Sequence, residues 1–411
     1  MNYIFIDTKD GVEKVGIVEN DKLVEFYLNY ENKGQMVGNI YRGRVKNVLQ
    51  GMEAAFVDIG DDKNAYLDLK SAIPQDLKSK KDINIRDVVK VGQEIIVQVV
   101  KEPTETKGAK VTTNITLPGR LIILTPYSEK ISISRKIQDE EEINRLKSIG
   151  EKIKTDNIGM IFRTNSQWAS EELLAKEYSD LIDLFKKIER EKNFLPCPKL
   201  IYKEIELSEK VIRDSYSEKI DKIIVNDREK YNRLIELDDI FFSGLKEKLF
   251  YDEDFDINYE ENILNGLKTA LDRKVPLKSG GYIVIDETEA LTVIDVNTGK
   301  FIGNINLEDT VVKTNLEAAE EIARQIRLRN LTGIILIDFI DMKDHKDIEL
   351  IIEKLEEYLK KDKNKANIVD ITKLGLVELT RRKTRNSLSN NFTEICPTCK
   401  GKGKLYKLID K

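Results

Sequence analysis

Two short apolar runs, each followed by an aspartate and joined by one long helical segment, constrain the fold more than any other feature of this sequence. The run LTVI precedes Asp295, and the run IILI precedes Asp338. Between them, residues 307–330 carry apolar side chains at helical spacing, which predicts a long helix. A strand–helix–strand connection makes its two strands parallel. We therefore expect both aspartates at one edge of an α/β sheet, where such sheets bind ligands.

These two carboxylates have the chemistry of a magnesium site. Mg²⁺ is commonly held by one or two carboxylates, together with water and phosphate oxygens. Asn297 lies two residues after Asp295 and would project to the same face if the strand continues. The spacing alone leaves a second interpretation open, because a strand-end aspartate often does no more than cap the following turn or helix.

The histidine and cysteine content excludes several other kinds of site. The 411 residues include one His and three Cys, so a nuclease with two catalytic histidines is impossible, as is a three-histidine zinc site. A Ser-His-Asp triad would need His345, which lies in the polar stretch MKDHKD and which we interpret as a surface residue. So few cysteines favour the reducing cytosol over a disulfide scaffold. With no apolar run of roughly 18 residues and no signal-peptide pattern, we expect a cytoplasmic protein without a membrane segment.

Length and local pattern indicate several domains, because 411 residues exceed what one compact core usually holds. Residues 1–34 alternate as in a β-meander. Residues 35–113 carry several short strands separated by glycines, which predicts a small closed barrel. Residues 114–207 mix strands with amphipathic helices, and residues 208–274 are mostly helical. Strand and helix alternate over residues 275–375, which is typical of an α/β region.

Cys396 and Cys399 form half of a zinc site. Two thiolates at this spacing can bind one Zn²⁺, but a closed structural site needs four ligands. Neither Cys197, which we interpret as structural, nor the single histidine offers a matching second pair. A second copy of the chain is the economical source of the missing ligands, and two unliganded thiols are the alternative.

The segments GGYIVIDETEALTVIDVNTGKFIGN and TNLEAAEEIARQIRLRNLTGIILIDFIDM closely resemble the catalytic core of the ribonuclease E/G family. The loop NTGKFIG resembles the G branch of that family more than the E branch. The resemblance implies that Asp295 and Asp338 bind a catalytic Mg²⁺ and that Asn297 assists. It extends along essentially the whole chain, from residue 1 to the cysteine pair.

The segment GNIYRGRVKNVLQGMEAAFVDIGDDKNAYLDL resembles the S1-type RNA-binding domain of the family. The resemblance implies that Phe56, Tyr66 and Lys107 hold RNA, although the residue pattern alone leaves open that Phe56 belongs to the core. Tyr66 stands where the family often has Phe, a change that preserves stacking, which is worth about 1–3 kcal/mol per base. Three basic residues that alternate along one strand would share a face able to follow the phosphates: Arg42, Arg44 and Lys46.

Arg163 and Thr164 end the strand-like segment GMIFRT. An arginine can bind phosphate with two parallel hydrogen bonds, and the threonine hydroxyl adds a further donor. By themselves they would be an ordinary surface pair. In the family, the matching residues form a pocket that senses a 5′-monophosphate on RNA, and the residue matching Ile123 lines it.

The C-terminal segment is basic and carries the family's zinc pattern. From Lys373 onward there are ten Lys and Arg against three Asp and Glu, a local charge of +7 in a chain of net charge −5. The run 381–385 would usually be a solvated face, but next to a metal-dependent nuclease site and a zinc link we expect it to help neutralise RNA phosphates. The family's inter-subunit zinc link matches CPTCKGKG, which implies Zn²⁺ shared by Cys396 and Cys399 of two subunits in a homodimer. The chain ends twelve residues after Cys399, so we expect neither the family's further small domain nor a degradosome scaffold tail, and dimer against tetramer stays open.

The resemblance implies an α+β multidomain fold. An RNase H-like subdomain would contain an inserted OB-fold barrel of S1 type and a 5′-sensor, followed by an α/β DNase I-like catalytic subdomain and a short zinc-link tail. The expected ranges are 1–34 and 208–274 for the RNase H-like part, 35–113 for the barrel, 114–207 for the sensor region, 275–391 for the catalytic subdomain and 392–411 for the tail.

The sequence therefore predicts a Mg²⁺-dependent endoribonuclease. The resemblance implies cleavage of single-stranded A/U-rich RNA to 5′-monophosphate products, with a preference for 5′-monophosphorylated ends, in ribosomal RNA maturation or messenger RNA decay. The alternative is a non-catalytic RNA-binding factor associated with ribosome assembly. Carboxylates aimed at phosphates argue against that alternative, because a binding module has no need of them. A deoxyribonuclease is a weaker third interpretation, since the barrel and the sensor match RNA-handling modules.

Overall fold

The computed structural model divides the chain into two compact units. Unit 1 comprises Met1–Tyr30, Glu218–Arg228 and Leu249–Lys411, and unit 2 comprises Glu31–Ser217 and Glu229–Lys248. None of the helices in the part of the chain that the structure describes is long and apolar enough to cross a membrane. The described residues are 1–30, 36–73, 83–104, 106–155, 158–194, 196–241, 244–299, 307–383, 385, 387–394, 396–401 and 403.

The elements within these residues are numbered in chain order. The strands are β1 (Tyr3–Asp7), β2 (Val12–Glu19), β3 (Lys22–Tyr30), β4 (Ile40–Leu49), β5 (Ala54–Asp58), β6 (Ala65–Asp68), β7 (Glu94–Lys101), β8 (Lys110–Thr112), β9 (Leu117–Pro118), β10 (Ile122–Thr125), β11 (Ile131–Ile133), β12 (Gly159–Phe162), β13 (Lys199–Tyr202), β14 (Lys222–Val225), β15 (Leu249–Tyr251), β16 (Lys274–Pro276), β17 (Tyr282–Glu287), β18 (Leu291–Asn297), β19 (Gly333–Asp338), β20 (Ala366–Ile371) and β21 (Val377–Arg381). The helices are α1 (Leu69–Ala72), α2 (Ile85–Val88), α3 (Glu140–Ile153), α4 (Glu171–Phe194), α5 (Leu207–Ser215), α6 (Arg228–Phe241), α7 (Glu261–Leu271), α8 (Leu307–Leu328), α9 (His345–Leu359) and α10 (Ser389–Phe392).

The first sheet of unit 1 has the strand order β15-β14-β1-β2-β3. Strands β1, β2 and β3 form the predicted antiparallel meander, while β14 and β15 add parallel strands on the other side of β1. Strand β1 is buried along its whole length because the sheet and its helices enclose it. Gly16 faces the ring of Phe5 so closely that a Cβ there would lie 2.2 Å from it, so no larger residue fits.

The second sheet of unit 1 has the strand order β16-β17-β18-β19-β21-β20. Strands β18 and β19 are parallel and are joined through α8, as the sequence predicts. Alternate residues of both strands are buried together with residues of α8 and α9. That core includes Ile294, Ile337 and Ile322. The helices thus cover one face of the sheet, and the remaining residues of β18 and β19 face the other way.

Unit 2 contains a closed five-stranded barrel of OB-like type. Strands β4, β5, β6, β8 and β7 follow one another, and β4 also pairs with β7, which closes the barrel. Small and branched side chains fill its interior, among them Val57, Leu67 and Val97. Gly43 is needed inside β4, because a Cβ there would approach a methyl group of Val57 to 2.6 Å.

The rest of unit 2 packs α3 and α4 against a four-stranded sheet of order β11-β12-β10-β9. The carboxylate of Asp139 caps α3 by accepting a hydrogen bond from the N–H of Glu142, at 2.9 Å. Buried side chains of β10, β12 and both helices form one continuous core, including Ile122, Phe162 and Leu181. This sheet fixes the positions of Ile123 and Arg163, the latter directly after β12.

Candidate functional site

Asp295 and Asp338 lie opposite each other near the carboxyl ends of β18 and β19, the two central strands of the second sheet of unit 1. We call this part of the sheet, with Asn297, the catalytic edge. The two aspartates are register partners on the parallel strands β18 and β19. Both side chains are exposed, whereas their strand neighbours Ile294 and Ile337 are fully buried. The alternation of the two strands therefore turns the carboxylates away from the helices and brings them together on the open face.

Asn297 completes this edge. Its amide nitrogen donates a hydrogen bond to Oδ2 of Asp295, at 2.8 Å. Partial loss of solvent, the charge of Asp295 and that of Asp341 raise the pKa of the Asp338 carboxyl above its usual value. The sequence offered no motif for Asp341, which adds a third negative charge three residues after the end of the strand.

The donor set fits a magnesium ion. Two carboxylates with like-charge repulsion between them favour a divalent cation, and Mg²⁺ needs few protein ligands because it keeps several waters. Among the described residues, no group of three or more His, Cys, Asp or Glu is placed to hold a metal ion. Residues Lys300–Gly303 of the NTGKFIG loop lie outside the described residues.

The open face beside the aspartates carries further side chains in register. Lys274 of β16, Val284 of β17, Asp295 and Asp338 form one row across four strands. The ammonium group of Lys274 lies 3.5 Å from the ring centre of Tyr282, a cation–π contact that the sequence did not indicate. The row places one cation on the same face as the two carboxylates.

On the barrel, Phe56 and Tyr66 form the expected aromatic pair. They are register partners on β5 and β6, and their ring centres lie 5.9 Å apart with the ring planes at 66°. Both are half-buried and lie outside the barrel core, which is formed by neighbours such as Val57 and Leu67. The interpretation of Phe56 as a core residue is therefore wrong.

Lys107 is exposed in a tight turn next to the aromatic pair. Its main-chain N–H donates to the hydroxyl of Thr104, at 3.1 Å. The turn lies so close to the neighbouring loop that a Cβ on Gly108 would be 2.1 Å from the carbonyl oxygen of Asn64. The N–H of Tyr66 in turn donates to the carbonyl oxygen of Ala109, at 2.8 Å. These contacts bring the lysine turn beside the strand that carries Tyr66.

The basic row of β4 is on one face, as expected, but it is not a row of free cations. Arg42 and Arg44 both bind the carboxylate of Glu94, at 2.6 and 2.7 Å. Lys46 forms an ion pair with Asp58, at 3.1 Å. These carboxylates offset much of the positive charge that the sequence pattern suggested.

Arg163 and Thr164 lie at the end of β12, and Ile123 lies on the adjacent strand β10, paired with Ile161. The guanidinium of Arg163 donates to the carbonyl oxygen of Gly119, at 2.6 Å, and forms an ion pair with Asp214, at 2.8 Å. Thr164 shares a hydrogen bond with the hydroxyl of Ser134, at 3.0 Å.

Side chains that the sequence did not indicate hold this pocket in place. Although burial acts in the opposite direction, Arg213 and Arg163 keep the pKa of Asp214 below its usual value. Glu177 accepts the N–H groups of two consecutive residues at the start of β10, and burial raises its pKa. Arg120 lies over the ring of Tyr216, at 5.3 Å, and its positive charge acts on Glu177 against the effect of burial. Its buried Nε has no hydrogen-bond partner within the described residues. The sequence contains no local motif that predicts the roles of these residues, because their partners are distant in sequence.

Cys396 and Cys399 lie in a tight turn. The N–H of Lys400 donates to the carbonyl oxygen of Cys396, at 2.8 Å, and the N–H of Gly403 donates to Sγ of Cys399, at 3.4 Å. Main-chain N–H groups of Cys399 and Thr398 lower the pKa of the Cys396 thiol, which favours the thiolate that a metal binds. The pair therefore has the chemistry of two of the four ligands that a structural Zn²⁺ site needs.

Three further residues considered from the sequence differ in exposure and contacts: His345, Cys197 and Arg381. His345 is exposed at the first residue of α9, as expected. Cys197 donates to the carbonyl oxygen of Arg42, at 3.8 Å, in unit 2. Within the basic run, Arg381 is only 4% exposed and binds Asp362 through two nitrogens, at 2.6 and 3.3 Å.

The expectation that the whole run meets RNA phosphates is therefore wrong. Arg381 is committed to a buried ion pair, and the guanidinium of Arg385 lies 3.9 Å from the ring centre of Tyr27 and donates to the carbonyl oxygen of Phe26. Arg382 and Lys383 are exposed, and residue 384 lies outside the described residues.

Comparison with known proteins agrees with this geometry. The model of the Ribonuclease E/G family matches residues 116–384, and that of the S1 RNA binding domain matches residues 35–113. The chain is 40% identical to Ribonuclease G of Haemophilus influenzae over 400 residues, which covers 95% of this chain and 82% of that protein. It is 38% identical to Ribonuclease G of Escherichia coli K12, covering 97% and 83%. It is also 38% identical to Ribonuclease E of Nostoc sp., covering 90% and 55%. An open two-carboxylate sheet edge, an aromatic pair on a closed barrel and matches over nearly the whole length lead to one conclusion: the chain belongs to the Ribonuclease E/G family.

Proposed function

We propose that this endoribonuclease of the Ribonuclease E/G family cleaves single-stranded, A/U-rich RNA with Mg²⁺ held by Asp295 and Asp338. The observation that carries the proposal is the register pairing of these two aspartates on the open face of the sheet. Neither carboxylate has a basic partner among the described residues, so both are available to a cation. When bound, Mg²⁺ would activate water and offset negative charge at the scissile phosphate.

The protein side chains have separate tasks in this proposal. Asp295 and Asp338 supply the oxygen ligands, and the amide of Asn297 orients the Asp295 carboxylate through its hydrogen bond. Asn297 is therefore a positioning residue in this structure. The products would carry 5′-monophosphate and 3′-hydroxyl ends, as the resemblance to the family implies.

The barrel and the sensor pocket would hold the RNA. Phe56 and Tyr66 offer ring faces for bases, and Lys107 offers a charge for the backbone. Arg163 and Thr164, with Ile123 on the next strand, would receive a 5′-monophosphate, which requires Arg163 to share its guanidinium between Asp214 and the phosphate. A preference for 5′-monophosphorylated RNA follows from that pocket.

The assembly and domain assignments are part of the same proposal. Residues 1–34 and 208–274 would form the RNase H-like subdomain, with the barrel at 35–113 and the sensor region at 114–207 inserted between them. The DNase I-like catalytic subdomain would occupy 275–391. Zn²⁺ bound through residues 392–411 would join two subunits in a cytoplasmic homodimer that acts in ribosomal RNA maturation or messenger RNA decay.

A cleavage assay tests the catalytic proposal. A 5′-monophosphorylated A/U-rich RNA is incubated with wild type, Asp295→Asn and Asp338→Asn, each with and without Mg²⁺. We expect cleavage by wild type with Mg²⁺ only, and a loss of more than about 100-fold in both variants, since each removes a metal ligand. Undiminished cleavage by both variants would refute the two-carboxylate site.

Asp286→Asn provides a matched control. Asp286 lies on the same open face as Asp295 and Asp338. Its carboxylate accepts two hydrogen bonds from Arg273, so it is not available as a metal ligand. We expect this variant to cleave as wild type does. In the same assay Arg163→Ala should remove the preference for 5′-monophosphate over 5′-triphosphate ends, and an unchanged preference would contradict the sensor assignment.

A further inference from the structure

Trp168 is an exposed side chain close to the sensor pocket for which the proposed function has no role. It is the single tryptophan of the chain and is 64% exposed. Its backbone has φ of 62°, in the left-handed region that bulky residues rarely adopt. Glycine would adopt this conformation without cost. Trp168 therefore carries two costs: a large apolar ring is exposed to water, and a bulky residue occupies a backbone conformation that favours glycine.

The conformation is enforced by buried contacts. The N–H of Trp168 donates to Oε1 of Glu142, at 2.8 Å. Glu142 is fully buried and binds Arg145 through both carboxylate oxygens, at 2.6 and 2.8 Å. A buried, doubly bound carboxylate is a rigid anchor, so the backbone at Trp168 cannot relax without breaking this cluster.

The segment that connects Trp168 to the sensor is equally well fixed. Both the N–H and the hydroxyl of Ser166 donate to the carbonyl oxygen of Arg163, at 3.0 and 2.6 Å. The N–H of Gln167 donates to the carbonyl oxygen of Thr164, at 3.2 Å, and that of Ala169 to Ser166, at 3.1 Å. Five residues span at most about 18 Å even when extended, and this turn is compact. The indole is thus held within a few nucleotides of a phosphate bound at Arg163.

We propose that Trp168 is a stacking platform for a nucleobase near the 5′ end of the bound RNA. The ligand class is an unpaired base, because an exposed indole on a rigid backbone offers one flat apolar face and no hydrogen-bond pattern that could select a base. Arg145 is bound to Glu142, so its role here is to fix that carboxylate and, through it, the backbone of Trp168. The inference rests on the proposed function, in that it places the 5′ end of the RNA at Arg163.

The single tryptophan makes a direct test available. The full-length protein is titrated with a single-stranded A/U RNA of about ten nucleotides carrying a 5′-monophosphate and a 3′ fluorophore, in buffer without added divalent cations, and gel analysis verifies that the RNA stays intact. Anisotropy of the fluorophore reports binding, and indole emission reports contact at Trp168. We expect quenched emission and protection from acrylamide over the same concentration range. Saturated anisotropy with unchanged indole emission and acrylamide quenching would overturn the proposal.

Two substitutions separate stacking from a structural role. Trp168→Gly removes the ring and suits the positive φ, so its melting temperature should equal or exceed that of wild type, while its Kd for this RNA should rise about 5- to 150-fold. Trp168→Phe retains a ring and should bind within a few-fold of wild type. An unchanged Kd in Trp168→Gly would overturn the proposal.

The failure of the sensor assignment can be distinguished from the failure of this inference. The same titrations are made with 5′-hydroxyl RNA and with Arg163→Ala. If Arg163→Ala keeps the wild-type preference for 5′-monophosphate over 5′-hydroxyl RNA while indole emission is quenched, the sensor assignment is wrong and Trp168 still stacks on RNA. If Arg163→Ala removes the preference for monophosphate and the emission of Trp168 is unaffected in wild type, only the stacking inference fails.

Discussion

At the scale of single residues, a bound cation would stabilise the facing carboxylates of Asp295 and Asp338. Asp338 faces Asp295 in register and lies near Asp341, and partial loss of solvent together with these charges raises its pKa. The folded protein therefore carries like-charge repulsion at neutral pH that a divalent ion would relieve. Asp295 and Asp338 were predictable because each directly follows a mostly apolar quartet on one of two strands that a helix joins. The partner of Arg163 was not predictable, because Asp214 is 51 residues away and belongs to a helix with no motif of its own.

We expect Asp338→Asn to raise the melting temperature in metal-free buffer at neutral pH while cleavage is lost. A carboxyl whose pKa is raised by folding destabilises the folded state as the pH rises through that pKa, so the free energy of unfolding falls there. The asparagine variant does not ionise and should lack this fall. Thermal unfolding of both proteins at acidic and neutral pH measures the difference. A variant that melts below wild type at neutral pH would contradict the repulsion.

At the scale of elements, long periodic segments were predictable and short buried ones were not. The N-terminal meander, the barrel strands, α8 and the strands that it joins follow directly from alternation or helical spacing in the sequence. Strand β21 was missed because it was counted with the basic C-terminal segment, although Val377 and Leu379 are buried in the sheet between β19 and β20. Its arginine is bound to an aspartate from a loop, a contact that only the tertiary fold creates.

Arg381→Ala is expected to destabilise the protein rather than to weaken RNA contact directly. Its guanidinium binds Asp362, the side chain of Asn330 and the carbonyl oxygen of Leu331 in a buried site. Removing one partner of a buried ion pair typically costs about 3–5 kcal/mol of unfolding free energy. Denaturant unfolding measures this value. The adjacent Arg382→Ala is the control, since Arg382 is exposed and should change stability by no more than about 0.5 kcal/mol. Equal effects of the two substitutions would contradict the buried role.

At the scale of the whole molecule, the structure has two compact units, and the proposed assembly joins two chains through zinc. Within the described residues, Cys396 and Cys399 supply two thiols in a turn whose N–H groups favour thiolate. A tetrahedral Zn²⁺ requires two more ligands. A second subunit that contributes the same turn would complete the site symmetrically.

Cys399→Ser should convert a dimer into a monomer and remove zinc. Light scattering measures the mass of wild type and variant, and elemental analysis measures zinc, for which we expect one ion per two wild-type chains. Cys197→Ser is the matched control, because that thiol lies in unit 2 and should leave mass and zinc unchanged. A variant that remains dimeric would count against the zinc link.

The parallel pairing of β1 with β14 has a consequence for how this protein is made. Tyr3 is the register partner of Lys222, so the central strand of its sheet gains this neighbour only after Glu31–Ser217, the larger part of unit 2, has been synthesised. At about 5–20 residues per second, one side of β1 waits roughly 10 to 40 seconds for its neighbour on the ribosome. During that interval an apolar strand edge is open to other nascent chains or to chaperones. In a nascent chain arrested before residue 222, we therefore expect the barrel to be protected from protease while residues 3–30 are still cleaved.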